Sequence, residues 1–258
     1  MNQVLLALQW ILDPAHFGGP SGVLARTLEH LGLTLAGVGV AAVLALPLGL
    51  WVGHTGRGRG PVIATTGAAR AVPTLGLVTL FALALGIGLS APLLALVVLA
   101  LPSLVVGATS ACGAAGRTVV DAARAQGMTE WQLLTRVELP LGAPLLVAGI
   151  RAATLQVVST AMLAAYVGGG GLGRFIFLGL KTQDYPQMLA GSLLVILLAV
   201  VLDLTLALVQ RMVAPAGVGT TTFRVPGTIR SLPSTSTATS GRGATAALAT
   251  DTMKGPLP

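Results

Sequence analysis

Three histidines, one cysteine and eight acidic residues are the whole stock from which this 258-residue chain could build an active site or hold a metal. His16, His30 and His54 each stand alone, without a second ligand at the short spacing a metal site needs. The acids are scattered, so no pair offers the matched proton donor and acceptor of hydrolytic chemistry. Cys112 lies in an apolar run with no second cysteine, which excludes an intrachain disulfide and marks it as a small buried residue. Gly168, Gly170 and Gly173 spell GxGxxG, but that fingerprint binds a dinucleotide only between a strand and a helix. Here it trails a long apolar stretch. No G-x-x-x-x-G-K-[ST] occurs either, so the loop that cradles ATP phosphates is missing. Catalysis, a cofactor and a metal are all unexpected.

One stretch is nonetheless densely polar. DAARAQGMTEWQLLTRVELP, residues 121–140, carries Asp121, Arg124, Glu130, Arg136 and Glu138 in a chain that is 54% hydrophobic and only 9% charged. Its pattern predicts two short helices. The first runs from Thr118 to Gln126 on the good helix formers Ala122, Ala123 and Ala125. Gly127 follows where a helix end needs a positive φ. Thr129 opens the second helix, with Gln132 three residues on, the spacing of a capping box. Trp131, Leu134 and Val137 then form a narrow apolar stripe, and Pro140 is expected to stop the helix. Such a knob suits a groove on another protein. The alternative is a helix lying on lipid headgroups, against which the alternating charges and the short stripe both argue.

The elements that position this knob are expected to lie in a membrane. Soluble domains carry roughly 25% charged residues, far above this chain. Crossing the hydrocarbon takes about 20 apolar residues, and five stretches qualify: 31–53, a run from near Pro61 to 86, a run ending near Ala111, 141–169 and 188–210. The N-terminal run 4–12 lacks the basic start and cleavage site of a signal peptide. Arg57 and Arg59 in one short loop, and Arg117, Arg124 and Arg136 in the insert, place those segments in the cytoplasm by the positive-inside rule. The N-terminus is then outside and the C-terminus inside. Residues 1–25 are expected as an extracytoplasmic or interfacial lead-in, 26–213 as the membrane domain, and 214–258, rich in Ser, Thr, Gly and Pro, as a disordered cytoplasmic tail. The net charge of +7 is spread along the chain rather than clustered with aromatics, so nucleic acid is not an expected partner.

Within the spans three charges stand out: Arg70, Arg151 and Asp203. Each falls roughly 12–14 Å from the cytoplasmic end at the rise of a helix. Charges in lipid pair or face an interior, so Asp203 is expected to pair with Arg151 or Arg70 in a polar layer; the alternative is that the arginines snorkel to the interface. Pro73 is expected to loosen the helix beyond Arg70. The bare run Gly168, Gly169, Gly170, Gly171 and Gly173 is either a flexible outer turn or a place of close helix approach. Gly32 with Gly37, and Gly49 with Gly53, suggest helix packing.

The insert also resembles a known family. Asp121-Ala122-Ala123, then Gly127, then Val137-Glu138-Leu139-Pro140 is similar to the EAA-x3-G-x9-I-x-L-P loop of type I ABC importer permeases, with Asp for Glu and Val for Ile. The segments 44–60, 70–81, 137–176 and 183–191 resemble the branch that imports glycine betaine, choline, carnitine or proline. The methionine-importer permeases are its neighbours. The resemblance implies an all-α, five-span permease fold in a bacterial inner membrane. It implies a loop docked on a separate ATPase, which would hold the ATP and Mg. It also implies a second permease subunit, the same or a sister chain, and an extracytoplasmic binding protein. Asp121, Ala122, Ala123, Gly127, Trp131, Leu134, Val137, Leu139 and Pro140 would be the coupling residues. Quaternary ammonium groups favour aromatic cages, yet the chain has only three Trp, two Tyr and five Phe, so specificity is expected in the binding protein. A membrane scaffold that borrows the knob without transport is the rival outside this class.

Overall fold

The structure, a computed structural model, describes residues 2–214 and, within them, every side chain but those of Asn2, Ile63, Ala69 and Arg70. The expected tail therefore lies outside the described residues beyond its first position. Among the described residues all regular structure is helical: short 3-10 helices at Pro14–His16 and Ala161–Val167, a π-turn at Leu134–Glu138, and ten α-helices, α1 Asn2–Leu12, α2 Val23–Thr55, α3 Arg59–Arg70, α4 Thr74–Leu85, α5 Ser90–Gly113, α6 Arg117–Ala125, α7 Glu130–Leu133, α8 Leu139–Thr160, α9 Gly173–Thr182 and α10 Tyr185–Met212. Four segments are long and apolar enough to cross a membrane: Val23–Thr55, Ser90–Gly113, Glu130–Val167 and Tyr185–Met212.

Two sequence expectations fail, both at prolines. The span expected from Pro61 to 86 is not one helix. It is broken at residues 71–73 into α3 and α4, each of 12 residues and each about 18 Å long. Pro73 has no N–H for the helical ladder and disfavours a helical conformation at Val72. It takes φ −61° and ψ 117° and serves as the N-cap of α4, so the chain is broken there rather than merely loosened.

Pro140 errs the other way: it does not stop a helix. The chain stays helical from Glu130 to Thr160, through a π-turn over Leu134–Glu138. There the Leu139 N–H donates to the Leu134 carbonyl, five residues back. A proline ring ordinarily clashes with the carbonyl four residues earlier. For Pro140 that carbonyl belongs to Arg136, which sits inside the widened turn, where a π-turn changes the ladder register. The knob is thus continuous with the membrane helix it precedes.

The core is the trio α2, α5 and α8, with Leu33, Ala41, Ala45, Leu96, Ala100, Leu104, Ala153 and Val157 buried in one cluster. Small residues set how closely these helices approach. A Cβ on Gly49 would lie 2.6 Å from that of Ala108, and one on Gly53 would lie 2.9 Å from that of Cys112. Gly37 packs on Leu96, but Gly32 faces open space. α5 and α8 also cross backbone to backbone: Gly107 faces Gly149, where a Cβ on either would come within 2.6 Å of the other's Cα. Backbone cannot yield as a side-chain tip can. Gly149→Leu is expected to cost about 3 kcal/mol or more of stability, read as a fall in the melting temperature of the detergent-solubilised protein. Cys112 is buried, with its thiol toward the Leu50 carbonyl at 3.6 Å.

α10 lies beside α8, α9 and α1. Trp10 of α1 meets Phe175 edge-on at 5.2 Å, in contact with a cluster of Val23, Leu172, Phe175 and Val195. The outward face of α10, with Ile196, Leu197, Val201, Leu204 and Leu208, is exposed and apolar, as a helix facing lipid or another apolar surface must be.

Candidate coupling segment and pathway residues

The insert is built from its local signals. α6 ends and Gly127 takes φ +87°, in the left-handed region. α7 is capped reciprocally: the Gln132 N–H donates to Thr129 Oγ1 at 3.3 Å and the Thr129 N–H donates to Gln132 Oε1 at 3.0 Å. Leu133 is the anchor, fully buried, while Trp131 is 73% exposed. Leu134 and Val137 are half-buried, so the stripe does not face outward as a whole. Asp121 and Ala122 are exposed, and Ala123 is buried. Leu139 is half-buried and Pro140 exposed.

Charge pairs lock the knob. Arg124 donates from Nε and Nη2 to Glu130 at 2.9 and 3.0 Å, a two-pronged contact that fixes α6 against α7. Asp121 lies 3.7 Å from the same guanidinium. The Glu130 carboxylate holds the Arg124 guanidinium above its ordinary range. Sequence reasoning missed His54, at the end of α2, which reaches both Glu130 and Glu138. No local signal marks it, since Glu138 is 84 positions away.

Of the three charges expected within the spans, Arg151 of α8 donates to Asp203 of α10 from Nε at 2.5 Å and Nη2 at 2.7 Å. The two side chains are 35% and 26% exposed. The Arg70 side chain lies outside the described residues, so its part in the layer is not assigned.

The glycine-rich turn, at the end of the bundle opposite the insert, is packed. A Cβ on Gly170 would collide with the Glu29 carboxylate, and one on Gly173 with the Met162 carbonyl. Glu29 accepts from the Gly171 N–H at 2.8 Å and from Arg26 at 2.6 Å, tying the turn to the start of α2. Next door His30 is fully buried, with Nε2 2.9 Å from the Val158 carbonyl. Beside the turn opens a cavity of about 540 Å³, lined by Arg26, Glu29, Leu33, Leu93, Gly170 and Arg174. Among the described residues no group of three His, Cys, Asp or Glu is arranged to hold a metal.

The bundle carries a polar helical knob at one end and a packed glycine turn at the other. Comparison with known proteins decides the class. Residues 45–216 match the family described as binding-protein-dependent transport system inner membrane component. The chain belongs to that family.

Relatives of this transport component agree with one another. It is 31% identical over 217 residues to the glycine betaine/carnitine/choline transport system permease protein OpuCB of Bacillus subtilis, covering 84% of this chain and 96% of that protein. It is 32% identical over 219 residues to the osmoprotectant import permease protein OsmW of Salmonella typhimurium, covering 82% and 98%. The choline transport system permease protein OpuBB of Bacillus subtilis is 31% identical over 195 residues, covering 76% and 90%. In fold it is similar to a chain of the MetNI methionine ABC transporter in inward-facing conformations, at a TM-score of 0.65 and 24% identity, over 75% of this chain and 97% of that one. That likeness shows the permease fold alone. The transport component is therefore a multi-pass membrane permease subunit.

Proposed function

We propose that this permease imports a small osmoprotectant such as glycine betaine, choline or carnitine, driven by a separate ATPase that docks on residues 117–140. The observation that carries the solute class is the agreement of its relatives' names at 31–32% identity over more than four-fifths of this chain. The docking reading is supported by the knob itself: a rigid, two-helix body whose tip presents Trp131, Asp121 and Ala122 to solvent. Exposed tryptophan is the residue type that most often anchors an interface. Asp121, Ala122, Ala123, Gly127, Trp131, Leu134, Val137, Leu139 and Pro140 are the coupling residues in this reading.

The insert faces the cytoplasm, with the N-terminus outside and the C-terminus inside, when the α3–α4 stretch counts as one crossing. ATP and Mg²⁺ sit on the partner ATPase; a second permease completes the pathway in a bacterial inner membrane, and a binding protein delivers solute near the glycine turn. ATP binding draws the two ATPases together, the knobs move with them, and the continuous helix Glu130–Val167 carries that motion to the far end. Hydrolysis resets the cycle.

The test is uptake by membrane vesicles carrying the chain with its encoded partners. ATP-dependent uptake of labelled glycine betaine, choline or carnitine, without uptake of labelled methionine, is the expected result. Methionine uptake alone would overturn the solute class.

A further inference from the structure

We propose that His54 is a positioning residue for coupling: it clasps the end of α2 to both Glu130 and Glu138, so that motion of the docking knob is shared between α2 and α8. This rests on the docking reading above. Its Nδ1 lies 2.8 Å from Glu138 Oε2 and its Nε2 lies 3.0 Å from Glu130 Oε2. Carboxylates only accept, so the ring donates from Nδ1 to Glu138, while Nε2 faces Glu130 at ion-pair distance.

The geometry is made by the π-turn. Glu130 and Glu138 are eight residues apart, which in an unbroken α-helix leaves them about 80° apart around the axis. The wider turn at Leu134–Glu138 takes up that angle and brings both carboxylates to one ring. A π-turn within an α-helix frequently marks a functional position.

The two arms differ in burial. Glu138 is 4% exposed, and His54 is the donor it bonds; a buried carboxylate without a partner is costly. Glu130 is largely exposed and also holds Arg124. One arm thus holds the ring at the buried root of the insert, where it joins α8, and the other reaches the exposed α7. Around them Arg59, Arg117, Asp121 and Cys112 line a cavity of about 360 Å³, which leaves room for the contact to shift as the knob moves.

The experiment uses the assembled transporter in vesicles and reads solute carried per ATP hydrolysed, with the amount of ATPase that co-purifies. His54→Gln keeps a neutral side-chain donor but loses the two separate ring nitrogens that face Glu130 and Glu138. It is expected to lower solute per ATP about tenfold, within the range of a coupling between two sites, while the ATPase still co-purifies. With Arg124→Gln as the control for the α6–α7 pair that it also weakens, Glu130→Gln, at an exposed site, cuts the knob arm. It is expected to give a similar fall, with the double variant no worse than His54→Gln. An unchanged solute-to-ATP ratio in Glu130→Gln overturns the proposal, even if His54→Gln fails to accumulate. Loss of the ATPase from His54→Gln also overturns it, because His54 would then act in assembly. Failure of the docking reading is read separately: a knob-breaking Gly127→Val that keeps both its ATPase and its uptake sinks docking.

Discussion

Gly127→Val is expected to cut ATP-driven uptake by at least about tenfold and to release the ATPase from the purified complex, an effect of the size of one interface hot spot. The cause is backbone, not crowding. Gly127 sits at φ +87°, and a Cβ there would meet nothing within 4 Å. A β-branched residue in that conformation is strained by about 1–3 kcal/mol. The turn between α6 and α7 relaxes by changing its dihedrals, which swings α6 away from α7. Arg124 then leaves Glu130, and the exposed tip that carries Asp121, Ala122 and Trp131 loses its fixed shape. Gly127→Asn is the control, because asparagine tolerates the left-handed region. It is expected to keep most uptake. Equal loss in both variants would mean that something other than backbone conformation is at stake.

Asp203→Leu has the second large effect. Arg151 would keep its charge among apolar helices without the carboxylate that now binds both its Nε and Nη2. Removing one member of such a pair is far worse than removing both. The amount of folded permease in the membrane is expected to fall roughly tenfold in Asp203→Leu and to recover in the double variant with Arg151→Leu. Immunoblotting of washed membranes reads this. Full recovery of protein without recovery of uptake would assign the pair a role in transport; recovery of both would make it structural. A single variant as abundant as the native chain would contradict the pairing account.

What could be read from the sequence was local. The charge-poor apolar runs, the Thr129–Gln132 cap and the glycine between α6 and α7 are each written within a few neighbouring residues. The insert's family pattern fits within twenty. Prolines were misjudged because their effect depends on register. Pro73 caps the start of α4 and the helix breaks before it, whereas Pro47 and Pro102 stay inside α2 and α5. Pro140 follows a π-turn that accommodates its ring, and nothing in residues 134–138 announces that turn. Contacts between distant segments were out of reach. His54 meets Glu138 across 84 positions and Glu29 meets Gly171 across 142, through helix crossings set by Gly49, Gly53, Gly107 and Gly149. For Asp203, the cost of a lone acid in lipid calls for a donor, but the crossing of α8 and α10 decides that Arg151 provides it.

The most direct test of the account is a cross-link from the tip of the knob. Cys112 is the chain's single cysteine and is buried, so Gln126→Cys, at an exposed position beside Gly127, creates one accessible thiol. With a thiol-to-amine cross-linker of short reach, applied to vesicles holding the assembled transporter, the account predicts a covalent product between this chain and the ATPase subunit. Its yield should change when ATP is bound. A product with lipid alone, or with the second permease and never the ATPase, would contradict the docking of residues 117–140 on which the mechanism stands.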